Sequence, residues 1–358
     1  MASAVRRQAA IASVCLLALA VAGVSLGQSA SPPATRQRSQ AEPYQGAAPD
    51  FARLQQLQAE TDRIWRRASE GRMRMSKIVY RSRRGDLDVP AFVFEPLVSG
   101  GPRAHAALVW VHENIRGHLY EHYIPYVQEA VRQQYVVIAP EYRGSIGYGQ
   151  AFYDAIDYGG AEVDDVVTAV DVLAGRYPSV DPDRIGIVGW SHGGMIALLA
   201  TFRHPQAFSS VATIAPVSNL FQRIAWKGLD HYRVIDPHNR LGGPPAENRA
   251  VYRDRSPLFH VDRLRVPLLV HFADNDEDVN IEEGMQLVDA LQARKPRLAE
   301  TKIYRNPQGG HLFDRQMEPG TLRPLDTPEQ RDSWSRVWGF FARTLEPAPS
   351  SETSPAQR

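Results

Sequence analysis

The stretch that decides the fold reads Ile185-Gly186-Ile187-Val188-Gly189-Trp190-Ser191-His192-Gly193-Gly194. Its β-branched first half is typical of a buried strand, and the run 195–200 after it has helical character. The Gly-x-Ser-x-Gly pattern between them predicts a sharp strand-to-helix turn, a nucleophile elbow. Gly189 and Gly193 carry no Cβ atom where such a turn is most crowded. We therefore expect Ser191 to project from the carboxyl end of a strand as a catalytic nucleophile.

Two later loops offer the partners that a serine nucleophile needs, a base and an acid that orients it. A buried, strand-like run ends in the acidic loop Ala273-Asp274-Asn275-Asp276-Glu277-Asp278-Val279. A second such run ends in Asn306-Pro307-Gln308-Gly309-Gly310-His311. The order serine, acid, histidine is that of an α/β-hydrolase. We expect His311 to be the base, and the candidates for the acid are Asp274, Asp276 and Asp278.

The region from about residue 77 to 345 resembles the catalytic domain of the prolyl oligopeptidase family of serine peptidases. The matching motifs agree in order and spacing. They are Tyr142-Arg143-Gly144-Ser145-Ile146-Gly147-Tyr148-Gly149, the elbow, Ser256-Pro257, Val266-Pro267-Leu268-Leu269-Val270-His271, the Asn275-Asp276 loop and Gly309-Gly310-His311. The resemblance implies an α/β-hydrolase fold, with helices on both faces of a mostly parallel sheet, and a Ser–Asp–His triad that works through an acyl-enzyme. Aligned on Val279, the family's acid falls on Asp276, with Asp278 as the second choice.

The chain departs from the family's pattern in two places. A β-propeller usually precedes the catalytic domain, and the roughly 50 residues between the apolar N-terminus and the first core strand are too few for one. We therefore expect an open site that accepts substrates of varied size. The loop after the strand at 106–111 reads His112-Glu113-Asn114-Ile115-Arg116-Gly117, where the family favours His-Gly-Gly-Pro. Because this loop is more like that of dienelactone hydrolases, a carboxylesterase or dienelactone hydrolase-like esterase is the alternative to a peptidase.

Five residues around the expected triad are assigned to oxyanion binding or to the substrate pocket. An oxyanion needs two donors, and the backbone N–H groups of His192 and Asn114 are the candidates. Glu113 is a candidate pocket residue, either a charged gate near the serine or a solvated or salt-bridged loop carboxylate. Tyr142 is expected to shape the turn beside the pocket. Trp190 is expected to pack beneath the elbow or to line the acyl site.

The composition, 43% hydrophobic with a net charge of +1 over 358 residues, is that of a globular protein with one large domain. Its balanced charge gives no reason to expect nucleic acid as a partner, and we expect a peptide or small-molecule substrate instead. The only cysteine, Cys15, lies near the N-terminus, and the histidines show no metal-ligand spacing. We therefore expect neither a metal nor another cofactor, and the oligomeric state stays open.

Residues 1–27 are predicted to be a signal peptide, because Arg6 and Arg7 precede an apolar stretch over 9–26 that ends in small residues. Cleavage after Gly27 is the first choice and cleavage after Ala30 the second. The enzyme would then be secreted or periplasmic, without stable membrane association. An uncleaved N-terminal anchor is the alternative, since the apolar run, generously counted, is long enough to span a bilayer.

The rest of the chain divides by composition and periodicity. Stretches rich in Ser and Pro predict a disordered linker over 28–50 and a disordered tail over 346–358. The spacing of apolar residues predicts an amphipathic helix over 51–75 that packs on the domain. The catalytic domain over 76–345 alternates strands and helices, which predicts a mostly parallel sheet. Within it, the irregular segment 219–261 is either a small lid over Ser191 or a pair of surface helices.

Overall fold

The computed structural model describes residues 49–347, so the expected signal peptide, nearly all of the linker and the tail from 348 onward lie outside it. Within the described residues, eight strands form one sheet. They are β1 (Arg74–Arg81), β2 (Asp88–Glu95), β3 (His105–Val111), β4 (Val136–Pro140), β5 (Val180–Trp190), β6 (Ser210–Ile214), β7 (Leu268–Ala273) and β8 (Ala299–Tyr304).

Ten α-helices occur in the same part of the chain. They are α1 (Phe51–Ser69), α2 (Ile124–Arg132), α3 (Gln150–Tyr153), α4 (Ala161–Arg176), α5 (Ser191–Arg203), α6 (Leu220–Lys227), α7 (Leu229–Ile235), α8 (Arg249–Asp254), α9 (Ile281–Arg294) and α10 (Pro328–Leu345). None of these described helices combines the length and the apolar character needed to cross a bilayer.

The sheet is mostly parallel, as the sequence predicts. Its strand order is β1-β2-β4-β3-β5-β6-β7-β8, and only the pairs β1–β2 and β2–β4 are antiparallel. Every residue of β3, β4, β6 and β7 is buried. Strands buried on both faces are expected where crossover helices cover a parallel sheet on each side.

Two hydrophobic cores lie on the two faces of this sheet. Along β3, Val109 and Val111 belong to one core, together with apolar residues of α4, α5 and α9. Leu108 and Trp110, which alternate with them, belong to the other core, together with residues of α2 and α10. This alternation follows from the two-residue period of a strand. The α/β-hydrolase fold, with helices on both faces, is thereby confirmed.

The N-terminal helix is shorter than predicted. Helix α1 ends at Ser69, and the predicted helix over 51–75 therefore runs too far, since β1 begins at Arg74. Gly71 takes a φ of 68°, a left-handed conformation that terminates helices and favours glycine. The indole Nε1 of Trp65 donates to the Leu119 carbonyl oxygen at 2.9 Å, which fastens α1 to the loop before α2.

The irregular segment 219–261 forms α6, α7, α8 and a short 3₁₀ turn at Pro257–Arg263. Helix α6 is fastened to the acidic loop after β7. Arg223 donates to the Asp278 carbonyl oxygen at 3.0 Å, and Lys227 donates to the Glu277 carbonyl oxygen at 3.1 Å. The segment thus borders the acidic loop, and its closure over Ser191 stays a prediction.

Candidate active site

The turn from β5 into α5 has the backbone geometry of a nucleophile elbow. Strand β5 ends at Trp190, helix α5 begins at Ser191, and Ser191 has a φ of 52°. A Cβ atom on Gly193 would overlap the carbonyl oxygens of Val111 and His112 at the end of β3. A non-glycine residue with positive φ is strained, and such strain persists where surrounding packing fixes the backbone. The elbow is therefore held by close contact of bare backbone with the neighbouring strand.

Ser191 and His192 lie at the start of α5, where helix geometry leaves donors free. The first N–H groups of a helix have no intrahelical acceptor, and the N–H of His192 is one of them. The positive end of the helix dipole also lies there. Ser191 is buried, with 6% of its surface exposed. This geometry suits stabilisation of an oxyanion at the predicted donor His192.

The structure brings Asp276 and His311 together. Oδ2 of Asp276 lies 2.7 Å from Nδ1 of His311, and Oδ1 accepts from the backbone N–H groups of Asp278 at 2.7 Å and Val279 at 2.8 Å. The Asp276 side chain is 1% exposed and that of His311 is 12% exposed. An ionised carboxylate only accepts, so Nδ1 carries the proton and Nε2 is the ring nitrogen left to act as a base.

The other two carboxylates of this loop have different partners. Oδ1 of Asp274 accepts from the backbone N–H of Asn306 at 2.6 Å. Asp278 is half-exposed and pairs with Lys227 at 3.4 Å. Of the three candidate acids, the structure therefore places Asp276 on the imidazole of His311.

The charge around His311 favours its protonated form. Burial alone disfavours the imidazolium, but the carboxylates of Asp276 and Asp278 outweigh burial and raise the pKa of His311 above its ordinary value. A base with a raised pKa accepts a proton more readily from a hydroxyl group. This direction fits a histidine that shuttles one proton.

The loop after β3 presents Asn114 in a left-handed conformation, with a φ of 67°. The Tyr142 hydroxyl lies 3.1 Å from the His112 carbonyl oxygen and 2.9 Å from that of Asn114, and it donates to this pair. The Asn114 side chain donates to the Tyr120 hydroxyl at 2.8 Å. With its carbonyl oxygen and its side chain held in this way, Asn114 has a fixed backbone, as an oxyanion donor needs.

Tyr142, which the sequence assigns to the substrate pocket, is a buried residue in the structure. Its side chain is fully buried, and its ring stacks on that of His112 with centroids 4.2 Å apart. Tyr142 supports the loop that carries Asn114 and offers no surface to a ligand. This agrees with the expectation that it shapes the turn.

Glu113 is a salt-bridged carboxylate and not a charged gate. It is 4% exposed, its Oε2 lies 2.5 Å from Nε of Arg315, and it accepts from the Tyr123 hydroxyl at 3.1 Å. Burial opposes ionisation of Glu113, but Arg315 and the nearby His122 outweigh burial and hold its pKa well below the usual range. A buried cation thus occupies the carboxylate that the sequence assigns to the pocket.

Trp190 lies beneath the elbow and does not line the acyl site. It is fully buried against Trp110 and Tyr123, with ring centroids 4.9 Å and 4.7 Å away. Its Nε1 donates to Oδ2 of Asp314 at 2.7 Å. Of the two expectations for Trp190, packing beneath the turn is the one that the structure supports.

Sequence reasoning missed three buried charged residues next to the site. Asp314 and Arg315 follow His311 closely and are buried. Glu162, at the start of α4, accepts from the Gly159 N–H at 2.5 Å, and its carboxylate lies 3.5 Å from Nε2 of His192. Only their proximity to Gly-Gly-His or to a helix start could have signalled these residues, since charged side chains are usually exposed.

The other buried histidines at strand ends have structural partners. Nε2 of His112 lies 3.0 Å from the Ser145 hydroxyl, and Nδ1 of His271 lies 2.9 Å from the Ser333 hydroxyl. Burial lowers the pKa of His112 to about 4 and that of His271 to about 3. Over residues 49–347, no three His, Cys, Asp or Glu side chains are grouped so as to hold a metal ion.

Comparison with known proteins gives the chain its relatives. Residues 122–345, more than half of the chain, match the profile of the prolyl oligopeptidase family. The uncharacterized peptidase YuxL of Bacillus subtilis is 30% identical over 64% of this chain and 34% of its own length. Dipeptidyl-peptidase 5 of Porphyromonas gingivalis is 33% identical over 51% of this chain and 28% of its own. The chain thus spans about a third of the curated relatives that it matches.

Solved structures with the same fold cover most of this chain. The acylaminoacyl peptidase of Pyrococcus horikoshii superposes with a TM-score of 0.62 and 21% identity, over 80% of this chain and 43% of that one. A puromycin-hydrolyzing peptidase of Mycobacterium tuberculosis gives a TM-score of 0.61 and 23% identity, over 76% and 39% of the two chains. At these identities the likeness establishes the fold alone.

Proposed function

Because this chain belongs to the prolyl oligopeptidase family, we propose that it is a serine peptidase that cleaves peptides through an acyl-enzyme on Ser191. The observation that carries the proposal is the 2.7 Å contact between Asp276 and Nδ1 of His311, in a fold that also builds a nucleophile elbow. Two of its relatives are named as peptidases, which favours a peptide substrate. A buried acid on Nδ1 leaves Nε2 as the base that a serine hydroxyl requires.

Each residue then has one role in the reaction. Ser191 attacks the scissile carbonyl carbon while Nε2 of His311 takes the hydroxyl proton, and the same proton passes to the leaving amine. Asp276 holds the imidazole tautomer and stabilises the imidazolium. The backbone N–H groups of His192 and Asn114 bind the oxyanion, and a lost donor of this kind typically costs about 2.7–4 kcal/mol of transition-state stabilisation.

The test combines one substitution with two substrate classes. We expect Ser191→Ala to lose both turnover and labelling by a fluorophosphonate probe, with its circular dichroism and melting temperature retained. Ser99→Ala, in the exposed loop after β2, is the matched control and should keep both activities. Labelling of Ser191→Ala at the wild-type rate would exclude Ser191 as the nucleophile.

The second part of the test separates a peptidase from an esterase. Fold and triad do not set the substrate, and the two activities share their acylation chemistry. Cleavage of aminoacyl-nitroanilides by the wild-type chain, lost in Ser191→Ala, is the expected outcome. Hydrolysis of nitrophenyl acyl esters without any nitroanilide cleavage would make the chain a carboxylesterase instead.

We also propose that the enzyme acts outside the cytoplasm, as the basic and apolar character of residues 1–27 supports. Mass spectrometry of the protein isolated from its native cells should find an N-terminus at Gln28, or at Ser31 for the second cleavage site. Retention of the apolar residues 9–26 in a membrane fraction would establish the anchored alternative.

A further inference from the structure

Two consecutive buried residues, Asp314 and Arg315, lie three and four positions after His311 and contact the other parts of the site. The side chain of each is 0% exposed. Nη1 of Arg315 lies 2.5 Å from Oδ1 of Asp314, so the two neighbours also pair with each other. We call these two residues the charged hub.

The hub is joined to the loop that carries Asn114. Nε of Arg315 lies 2.5 Å from Oε2 of Glu113, the residue immediately before Asn114. The same carboxylate accepts from the Tyr123 hydroxyl, and its Oε1 lies 3.3 Å from Nε2 of His122. Both oxygens of Glu113 are thus engaged, and the backbone of its neighbour Asn114 is fixed at one side by this ion pair.

The hub is also joined to the nucleophile elbow. Oδ2 of Asp314 accepts from Nε1 of Trp190, the last residue of β5 and the one before Ser191. The carbonyl oxygen of Asp314 accepts from Nε1 of Trp334 at 2.7 Å and from the Tyr126 hydroxyl at 3.1 Å. Helices α2 and α10 therefore both hydrogen-bond to the backbone of the hub.

Such an arrangement is costly for stability alone. Fully buried ion pairs lose their hydration, and well-packed apolar residues of similar volume often stabilise a core at least as well. What an ion pair adds is geometry, because each charged group accepts few positions of its partner. The hub lies in the loop of His311 (the histidine loop) and contacts both the elbow and the loop of Glu113 and Asn114 (the oxyanion loop). It is therefore placed where geometry matters to the reaction.

We propose that Asp314 and Arg315 are positioning residues that hold these three loops in register, and that the Arg315–Glu113 pair balances the charge that His311 meets when it takes up a proton. The inference rests on the proposed roles of Ser191 and His311. It assigns the unusual Glu113 of this chain to the support of the oxyanion loop.

The charges that face His311 make the proposal testable by pH. Asp276 and Asp278 act on it from the acidic loop, Arg315 acts from its own loop, and Glu113, with His122 beside it, acts from the oxyanion loop. Loss of the Glu113 charge leaves Arg315 less balanced, which disfavours the imidazolium. Loss of the Arg315 charge leaves Glu113 and Asp314 unbalanced, which favours the imidazolium.

The experiment measures the rate of fluorophosphonate labelling of Ser191 against pH in the wild-type chain, in Glu113→Gln and in Arg315→Gln. Labelling needs neutral His311, so its acid limb reports the titration of that imidazole. We expect the limb to move to lower pH in Glu113→Gln and to higher pH in Arg315→Gln, each by about half a pH unit or more. Shifts in the same direction, or no shift in either variant, would overturn the proposal.

Three features keep this result interpretable. The position of the limb does not depend on how much of a variant is folded, so a poorly stable preparation still reports it. Labelling needs no substrate. If the chain cleaves no nitroanilide, the proposed peptidase function is contradicted, but the labelling rates still test the roles of Asp314 and Arg315. The exposed pair Arg343–Glu300, between α10 and β8, supplies the controls Arg343→Gln and Glu300→Gln, which should leave the limb in place.

A further variant covers failure of Arg315→Gln to fold. Glu113→Asp keeps the charge and shortens the reach to Arg315, so we expect an unmoved limb and a labelling rate at least about fivefold lower. A wild-type rate and limb in Glu113→Asp, together with an unmoved limb in Glu113→Gln, would show that the pair neither positions the loop nor balances His311.

Discussion

The nucleophile elbow and the loop after β3 carry the two proposed oxyanion donors, the N–H groups of His192 and Asn114, and they are held by different forces. At the elbow, Ser191 has a φ of 52° because bare glycine backbone packs directly on the end of β3. In the loop, Asn114 has a φ of 67° and depends on side chains, namely the Tyr142 hydroxyl and the ion pair of the preceding Glu113. One half of the proposed oxyanion site is fixed by sterics and the other by buried polar groups.

This difference implies different sensitivities to substitution. Steric contact of backbone with backbone has no adjustable part, so an added methyl group must displace a strand. A hydrogen-bonded loop has several partners, and the loss of one leaves the others in place. We therefore expect the elbow to fail completely when it is altered and the loop to fail by degrees.

The largest expected effect is that of Gly193→Ala. Its Cβ atom would overlap two carbonyl oxygens of β3 and its loop, and no rotamer change can relieve a clash with backbone. We expect a loss of at least about 3 kcal/mol in the free energy of unfolding, measured by urea denaturation, and no turnover. The control is Gly175→Ala in helix α4, where the added Cβ atom would meet no neighbouring atom within 4 Å. We expect its free energy of unfolding to rise by about 0.5–1 kcal/mol. Equal stability of the two variants would show that the elbow is not sterically fixed.

Asp276→Asn should cost about 10⁴-fold in kcat, because an amide on Nδ1 favours the wrong tautomer of His311. The folded state should persist, since Asn keeps an oxygen for the N–H groups of Asp278 and Val279. Asp278→Asn is the matched control in the same loop, and we expect its kcat to change less than about tenfold, as it pairs with Lys227 instead. Measuring kcat of both variants on one substrate decides which aspartate is the triad acid. A larger loss of kcat in Asp278→Asn than in Asp276→Asn would show that the wrong acid is assigned.

Tyr142→Phe tests the loop side of the comparison at a single hydrogen-bonding group. The variant removes the donor of the His112 and Asn114 carbonyl oxygens but keeps the ring. Because Asn114 keeps its other contacts, we expect kcat to fall only about tenfold, with KM nearly unchanged. Steady-state kinetics with a nitroanilide measure both constants. A rise in KM at constant kcat would place Tyr142 in the substrate pocket after all.

The same contrast explains what could be predicted from the sequence. The elbow could be predicted because its steric contacts require glycine at fixed positions. The fold and the family, which were predicted from such local motifs, are confirmed. The Asp276–His311 contact followed from strand-end loops that a parallel sheet brings to one edge. The Glu113–Arg315 pair joins residues far apart in the chain, and nothing local marks either one as buried. The predicted helix over 51–75 rested on apolar periodicity, which does not register the helix-terminating conformation of Gly71.

A pH-dependent effect on stability is expected at Glu141, which precedes Tyr142. Glu141 is fully buried, and its Oε1 accepts from the Leu119 N–H at 2.8 Å. Burial raises the pKa of Glu141 to about 8, although Lys77 and this hydrogen bond oppose the rise. The folded chain therefore keeps a proton that the unfolded chain loses near pH 4.5.

This difference fixes the sign of a pH effect on stability. Between about pH 4.5 and 8 the folded state binds more protons at Glu141 than the unfolded state does. The stabilisation that this protonation gives the folded state is therefore fully present below pH 4.5 and is lost as pH rises towards 8. Glu141→Gln stays neutral and keeps an acceptor for Leu119, so its unfolding free energy should gain on that of the wild type by up to roughly 4 kcal/mol between pH 5 and pH 8. Urea denaturation of both chains at each pH unit measures this gain. Glu60→Gln, at an exposed position of α1, should differ from the wild type by a constant amount over the same range. A constant difference in Glu141→Gln as well would mean that Glu141 ionises in the folded chain.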